Sequence, residues 1–387
     1  MVKAIKVMLI PNNVQKTKMF QYAGASRFAY NWALAREIEN YEKGGKFISD
    51  AELRKEFTKL RHSDEYAWLL NISNNVTKQA IKDACTAYKN FFKGLQKFPR
   101  FKSRKRSMPK FYQDNVKIQF SNTHVKLEGF SSSRKANKQK KNWVRLAEHG
   151  RIPTDVKYMN PRISFDGLNW WISVCVEFPD CREILNDDGV GIDLGIKDLA
   201  ICSDGTKYKN INKSQKVKKL EKQKRRLQRS ISRSYEKNKK GESYCKTNNV
   251  IKKEKLLLKR NHRLTNIRKN YLNQTISEII NRKPRFICIE DLNVSGMMKN
   301  RHLSKAVQEQ GFFWFRKQLE YKCSDKGIQL IVADRFYPSS KLCSCCGNIK
   351  KDLKLSDRVY RCECGNMIDR DFQASINLKA YGERFAS

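Results

Sequence analysis

Acidic residues stand at the ends of three segments whose pattern predicts regular secondary structure. Asp193 lies within the apolar strand pattern GVGIDLG, and Glu290 ends the apolar pattern FICIE. Asp369 and Asp371 begin a helical pattern, DRDFQASINL. A carboxylate inside an apolar strand is costly unless it binds a metal ion or a charged partner. Taken singly, Glu290 could be an ordinary charge at a strand end, and Asp369 could be a helix cap.

The chemistry open to these acids depends on whether they meet in the fold. If the strands of Asp193 and Glu290 are neighbours in an α/β sheet, and the last helix begins beside them, the acids converge. Converging carboxylates raise one another's pKa unless divalent cations neutralise them, and Mg²⁺ is the expected ion. Two such ions can activate a water and stabilise the leaving oxygen in phosphodiester hydrolysis. The pattern therefore predicts a nuclease site.

Five cysteines near the C-terminus have the spacing of a metal site. Cys343 and Cys346 form one pair and Cys362 and Cys364 a second, and each pair leads into glycine. Such knuckles can close a tetrahedral zinc site of four sulfurs, whose role is structural because no coordination position stays open. The second pair is C-x-C, and Cys345 could compete as a ligand. The other seven cysteines are scattered singly, which is not a disulfide framework.

The charge of the chain indicates its partner. Its 387 residues carry 80 Lys and Arg against 39 Asp and Glu, a net charge of +41, so a polyanion is expected and nucleic acid is the default. Anionic lipid would need a basic amphipathic anchor or a lipidation motif, and neither is found. With 40% hydrophobic residues, the chain is too apolar for a disordered tail. No apolar run reaches membrane-span length, and a cytoplasmic, nucleoid-associated protein of two or three domains is predicted.

Hydrophobic periodicity predicts a strand at 2–10 and helices at 14–40, 49–60 and 73–93. One face of the third helix carries the polar residues Asn75, Lys78, Gln79 and Lys82. This face could read base edges or simply face water, and the second interpretation is somewhat favoured. Residues 98–110 mix basic and aromatic side chains, a composition typical of a groove that follows a nucleic-acid backbone, although a plain surface loop is the alternative. The basic residues concerned are Arg100, Lys102, Arg104, Lys105 and Arg106.

Further strands are predicted between 116 and 177, as a small β-barrel or sandwich that includes the first strand, with an exposed loop at 131–141. Two strands joined by a tight turn are expected over 189–204. Two long basic helices, at about 211–235 and 248–281, should pack as a hairpin through an apolar seam and present charge to phosphates. A strand at 285–289, a helix at 304–326, a strand at 329–334 and a helix from about 371 complete the chain.

The ordered motifs resemble a known family. GIDLGIKDLA, IEDLNVSGM, C-S-x-C-G, LSDRVYRCECG and DRD-x-x-A-x-x-N are similar to the TnpB/OrfB proteins of bacterial insertion sequences, relatives of the compact type V CRISPR effectors. RFAYNW and KFPRFKSRK extend the likeness to the N-terminal half, so it covers nearly the whole chain. Two positions depart from the family pattern: Gln373 replaces the usual asparagine, and the second cysteine knuckle is one residue short.

The resemblance implies an α/β multidomain fold. A nuclease domain of the RNase H-like (RuvC) type would occupy 187–387, with a zinc ribbon inserted at 336–368. A wedge-type β-barrel would be built from 1–10 and 96–186, and a helical recognition segment from 11–95.

It also implies an RNA-guided DNA endonuclease. The guide RNA would derive from the element's end, with one protein copy per RNA favoured, and the double-stranded target would lie beside a short motif read by the protein. The catalytic acids carried over are Asp193, Glu290 and Asp371, holding two Mg²⁺ ions, and one structural Zn²⁺ would sit on the cysteines. Asp371 is preferred to Asp369 because the CRISPR relatives retain only the second acid. An RNA-directed DNA-binding repressor and a transposase or its accessory protein are the alternatives.

Overall fold

The computed structural model describes residues 1–130, 142–179, 182–241, 243–354 and 357–386, so the loop predicted at 131–141 lies outside the described residues. The chain divides into two compact units, Met1–Pro179 and Asp180–Ser387. Each unit has its own hydrophobic core.

In the described part of the first unit, seven strands form one antiparallel sheet in the order β2-β6-β7-β1-β5-β4-β3. The long strand β1 pairs with β7 from Val2↔Glu177 to Leu9↔Trp170, and its last residues also pair with β5. The predicted strand at 2–10 is thus confirmed. The strands are β1 (Val2–Ile10), β2 (Lys110–Tyr112), β3 (Gln119–Phe120), β4 (His124–Lys126), β5 (Trp143–Leu146), β6 (Tyr158–Phe165) and β7 (Trp170–Glu177).

Three helices and a 3₁₀ segment pack with this sheet: α1 (Asn13–Glu42), α2 (Asp50–Arg61), the 3₁₀ segment (Asp64–Asn71) and α3 (Asn74–Phe92). All three helices were predicted from the sequence. Asn12 and Ser49 begin α1 and α2 with capping boxes, in which the cap side chain and the third helical residue bond to each other's backbone N–H. Buried faces of α1 and α3 join the inward residues of β1, β6 and β7 in one core.

A mixed five-stranded sheet, β10-β9-β8-β13-β14, forms the centre of the described part of the second unit. Its strands are β8 (Val190–Leu194), β9 (Asp198–Cys202), β10 (Lys207–Lys209), β13 (Phe286–Glu290) and β14 (Gln329–Ala333). β8, β13 and β14 are parallel, whereas β9 and β10 are antiparallel to their neighbours. The first four residues of β13 are all buried, as expected for a parallel strand covered on both faces.

A basic helical hairpin follows β10, after a 3₁₀ turn (Ile211–Lys213). Its helices are α4 (Gln215–Lys237) and α5 (Asn248–Asn281), joined by the short strands β11 (Lys239–Lys240) and β12 (Ser243–Tyr244). Val217 and Leu220 of α4 pack with Leu264 of α5, and these residues form the predicted apolar seam. The hairpin is therefore confirmed, with α4 starting four residues later than predicted.

The prediction of a single helix at 304–326 is wrong in one respect, because this range contains two helices. A short helix, α6 (Val294–Lys299), comes first, and α7 (Ser304–Gln310) and α8 (Phe312–Lys326) follow. Gly311 separates α7 from α8 with a φ of 71°, a left-handed conformation that ends a helix and that glycine adopts without steric cost. The break turns α8 so that Phe312 and Phe315 enter the core.

The chain ends with a small hairpin and a helix. The hairpin strands β15 (Val359–Arg361) and β16 (Met367–Asp369) are antiparallel, and α9 (Arg370–Glu383) follows β16 directly. Helix α9 packs across β8 and β13. Gly191 of β8 makes this close approach possible, because a Cβ atom there would lie 2.0 Å from the backbone oxygen of Ser375 in α9.

Candidate functional site

Strand alternation places Asp193 and Glu290 on the same face of the second sheet. β8 and β13 are parallel neighbours, with Ile192 opposite Ile289, and both isoleucines enter the core with α5 and α8. The residue after each isoleucine must point to the opposite face, because side chains alternate along a strand. That face is the one that α9 covers. The predicted adjacency of the two strands and of the last helix is therefore found.

The start of α9 brings further acids to this edge. Asp369 is the helix cap, and its Oδ1 accepts hydrogen bonds from the backbone N–H groups of Asp371 and Phe372, each at 3.1 Å. The suggested capping role of Asp369 is thus observed. This cap stabilises the first turn of α9, in which Asp371 lies.

The three acids interact electrostatically. Burial raises the pKa of Asp193 well above its ordinary value, and the negative charges of Glu290 and Asp371 raise it further. Burial also raises the pKa of Glu290, although a hydrogen bond from the Ser339 hydroxyl opposes the rise, and Asp371 again adds to it. Two partly buried carboxylates next to a third are costly to ionise, and a divalent cation would remove that cost. The oxygen-only donor set fits a hard cation such as Mg²⁺.

Arginines neutralise Asp371. The guanidinium of Arg370 lies 3.2 Å from Asp371 Oδ1, and that of Arg358 lies 3.6 Å from Oδ2. Among the described residues, four cysteines are the group of potential metal ligands whose donor atoms all lie within 4.8 Å of one another. The three acids are gathered less tightly than that.

Four cysteines form this tight group: Cys343, Cys346, Cys362 and Cys364. The sulfurs of Cys343 and Cys364 are 3.6 Å apart, and those of Cys346 and Cys362 are 3.5 Å apart. Gly347 and Gly365 turn each knuckle with positive φ values of 75° and 89°. Cys345 is exposed and is not in the group. Four converging thiols fit a tetrahedral metal ion, and the missing residue of the second knuckle does not prevent this.

The polar residues that tie the cysteine segment to α9 were not predicted. Gln373 is fully buried, donates to the Leu342 carbonyl at 2.8 Å and accepts from Asn366 at 2.9 Å. Asn377, one turn later, donates to the carbonyl of Ser339 at 2.7 Å. Ser339 is itself the donor to Glu290. The signal was present in DRDFQASINL, because Gln373 and Asn377 are polar residues four apart on the inner face of the helix.

Two of the four polar residues predicted on one face of α3 make hydrogen bonds within the first unit. Asn75 donates to Glu128 at 3.2 Å, and Gln79 donates to Asp83 at 2.9 Å. Their amide groups therefore help to hold the fold together. Lys78 and Lys82 are exposed on the same helix.

The basic residues predicted in the segment 98–110 differ in their exposure to solvent. Arg100, Arg104, Lys105 and Arg106 are exposed, and the last three line a cavity of about 830 Å³ together with aromatic side chains such as Phe20 and Phe165. Lys102 is directed inward instead, with its ammonium 3.0 Å from the centroid of the Tyr30 ring. Burial lowers the pKa of Lys102 to about 7. Cations beside aromatic faces are the combination that single-stranded nucleic acid favours.

A parallel-centred α/β sheet with acids at its carboxyl edge, in a chain of charge +41, defines a class of polynucleotide-processing proteins. Three family models match: residues 173–301 fit the IS605 OrfB family, described as "Probable transposase", 312–378 a Cas12f1-like TNB domain, and 1–46 an OrfB helix-turn-helix domain. Residues 1–46 contain β1 and the single helix α1.

Relatives align over nearly the whole chain. "Putative RNA-guided DNA endonuclease InsQ" of Escherichia coli (strain K12) is 31% identical over 98% of this chain and 92% of its own. "Putative RNA-guided DNA endonuclease" of Streptomyces pristinaespiralis is 29% identical over 98% and 89%. A Cas12f1 structure solved with sgRNA and target DNA shares the fold, with a TM-score of 0.56, 13% identity and 98% of each chain covered. The chain belongs to the TnpB/OrfB family, which is related to the type V effectors.

Within the described part of the chain, no helix combines the length and apolar character that crossing a membrane requires.

Proposed function

We propose that this protein is an RNA-guided DNA endonuclease encoded by an insertion sequence. The observation that carries the proposal is the acid cluster. Asp193 is the next-to-last residue of β8 and Glu290 is the last residue of β13, and these parallel strands are adjacent. The negative charge of Asp371 at the start of α9 raises the pKa of both acids. Family relatives that bear endonuclease names support the same conclusion.

The finer architecture is part of the proposal. The second unit corresponds to an RNase H-like, RuvC-type nuclease domain (187–387), with a zinc ribbon at 336–368. The sheet of the first unit corresponds to a wedge-type β-barrel (1–10 and 96–186), and α1 to α3 correspond to a recognition segment (11–95). The sheet order β10-β9-β8-β13-β14, with its parallel centre and antiparallel edge, supports the nuclease assignment.

Asp193, Glu290 and Asp371 would hold Mg²⁺, which when bound supplies an activated water and charge neutralisation for phosphodiester hydrolysis. The surrounding residues orient these acids. Ser339 fixes one oxygen of Glu290 by its hydroxyl hydrogen bond. Asp369 caps α9 and thereby holds Asp371 at the edge of the sheet.

Guide RNA and duplex DNA would bind the basic surfaces. Lys78 and Lys82 on α3 are free to reach the motif beside the target, and Arg100 and Arg104–Arg106 to follow a backbone. Base pairing with the guide would supply sequence specificity. A zinc ion on the four cysteines would hold the segment that carries Ser339 against α9.

The test is cleavage by the protein purified with its bound RNA. Asp193→Ala should abolish Mg²⁺-dependent cutting of a matched duplex, by at least about 10³-fold, because this acid would hold the ion. RNA binding should be unchanged, because the guide would bind elsewhere. Asp187→Ala, which removes an exposed acid six residues away, is the matched control and should cut normally. Full activity of Asp193→Ala would end the proposal.

A second function has one observation in its favour. Arg358 and Arg370 already neutralise Asp371, so a protein that binds DNA through its guide without cutting it would not need a cation there. Such a repressor would block transcription equally well with and without Mg²⁺. The endonuclease would instead leave cut product that disappears when Mg²⁺ is chelated.

A further inference from the structure

A pocket of about 300 Å³ opens at the carboxyl end of β8 and β13. Leu194, Ile289 and Glu290 form its wall on the sheet side, so Glu290 belongs both to this wall and to the acid cluster. The residues after β13 and the first turn of α8 form the opposite sides. The pocket therefore begins where the proposed scissile phosphate would lie, but on the side of the sheet away from α9.

Phe313 is the exposed aromatic of this pocket. It stands in the first turn of α8 with 64% of its surface accessible, whereas its neighbours Phe312 and Phe315 are 3% and 0% exposed. The core accounts for the two buried rings and leaves the third unexplained, since an exposed phenyl ring costs hydrophobic free energy. The turn at Gly311 presents Phe313 to the pocket.

Two arginines supply the charge. Arg316 and Arg335 line the pocket and both pair with Asp291, the Arg316 contact being 2.6 Å. Arg316 also pairs with Glu320 at 3.1 Å, so carboxylates on two segments fix its guanidinium plane. Asp291 lies between the two arginines and holds both planes in place. A phosphate next to the pocket could accept hydrogen bonds from the guanidinium N–H groups, and a flat ring could stack on either plane.

We infer that this pocket binds one unpaired nucleobase of the DNA strand being cut, with Phe313 as the stacking surface and Arg316 and Arg335 beside its phosphates. The inference rests on the proposed function, which places a DNA strand at Glu290. A volume of about 300 Å³ is at the small end for ligand pockets and suits one base but not a base pair. A base can enter only after it leaves its partner strand.

Such a site gives the enzyme a preference for single-stranded substrate at the point of cleavage. Duplex DNA keeps its bases stacked and paired, so none of them can stack on Phe313. A phosphate of the duplex that approaches Glu290 would therefore lack the free energy of that stacking contact. Stacking of one base on an aromatic side chain is worth about 1–3 kcal/mol, or roughly 5- to 150-fold. Phe313 is therefore a binding residue for the substrate strand that acts beside the catalytic acids.

Photocrosslinking tests the pocket without requiring cleavage. The Asp193→Ala protein, with its co-purified RNA, is irradiated with single-stranded oligothymidylate that contains 5-iododeoxyuridine, and labelled tryptic peptides are sequenced. The peptide 306–316 should be labelled at Phe313, at least about fivefold more by the single strand than by the same DNA as a duplex. Phe313→Ala should lose this label. Phe385→Ala removes a ring that is 57% exposed in the same unit and should keep it.

Cleavage provides the second measurement. In the otherwise unaltered protein, Phe313→Ala should cut about tenfold more slowly with unchanged RNA binding, Phe313→Tyr should retain most of the rate, and Phe385→Ala should behave as the parent. Equal labelling by single strand and duplex, or a label that survives Phe313→Ala, would overturn the inference. An unlabelled peptide would also overturn it, and would assign the exposed ring to a protein partner. Failure of the proposed function is seen separately, as cutting by Asp193→Ala.

Discussion

Asp193 and Lys102 show how burial changes an ionisable side chain in opposite senses. Burial and two neighbouring acids raise the pKa of Asp193, so its charged form needs a cation. Burial lowers the pKa of Lys102 to about 7, and its positive neighbours Lys110 and Arg162 contribute, while Asp83 opposes them. One environment attracts a positive ion, and the other disfavours a positive side chain.

Lys102 therefore affects stability in a pH-dependent manner. Its ordinary pKa of 10.5 applies to the unfolded chain, so between pH 7 and 10.5 the unfolded state binds more protons and stability rises with pH. Lys102→Met should raise the melting temperature most below pH 7, and the gain should shrink as the pH approaches 10. The cation contact with Tyr30 will reduce the size of the gain.

Lys105→Met is the control for this measurement, because Lys105 is exposed in the same loop. Its effect on the melting temperature should not differ between pH 6 and pH 9. A gain for Lys102→Met that grows with pH would contradict the assignment.

At the scale of elements, close packing between α9 and β8 sets the geometry of the acid cluster. Alternation along β8 brings Gly191 and Asp193 to the same face, and Gly191 lets the backbone of α9 approach. Any residue larger than glycine would push α9, and with it Asp371, away from the strand. The glycine is thus as necessary to the site as the acids are.

Gly191→Ala should destabilise the second unit by about 3 kcal/mol or more, because the added Cβ would meet backbone atoms of Ser375 and Lys379 that cannot move independently. Gly24→Ala in helix α1 is a matched contrast. Its Cβ would meet nothing within 4 Å, so it should stabilise by about 0.5–1 kcal/mol. Denaturant unfolding of both variants gives the comparison, and equal effects would show that the close approach is not a constraint.

At the scale of the whole molecule, the chain has a net charge of +41, and each of its two units has a hydrophobic core. The segment that carries the cysteines is short of apolar residues, although Tyr360 is fully buried within it. A metal ion bound by the four cysteines would then be the main stabilising interaction of the segment, and Gln373 and Asn377 would link that segment to α9.

Removal of zinc should therefore loosen 336–368 before it affects the first unit. Hydrogen–deuterium exchange with and without a chelator should show faster exchange in 336–368 and at the start of α9, with α1 unchanged. Adding back Mg²⁺ separates this effect from loss of the catalytic ion. Equal exchange of the segment in both conditions would contradict the structural role of the ion.

The sequence by itself determined the elements and the kind of chemistry. Amphipathic periodicity was enough for α1 to α5, because each helix shows its buried face in the spacing of its own apolar residues. The cysteine spacing was enough for the metal-binding group. The position of Gly311 within a helical pattern did not reveal the break between α7 and α8, since glycine is tolerated inside helices and only the packing of α8 selected the left-handed turn.

Tertiary structure alone decided which polar side chains are available. Asn75, Gln79 and Lys102 have the residue types of nucleic-acid contacts, but acids and a ring from distant parts of the chain engage them. Ser339 and the pocket around Phe313 are equally invisible in the sequence. The physical reason is that a pattern reports periodicity within one element, whereas hydrogen bonds, ion pairs and cavities depend on distances between elements that only the folded chain defines.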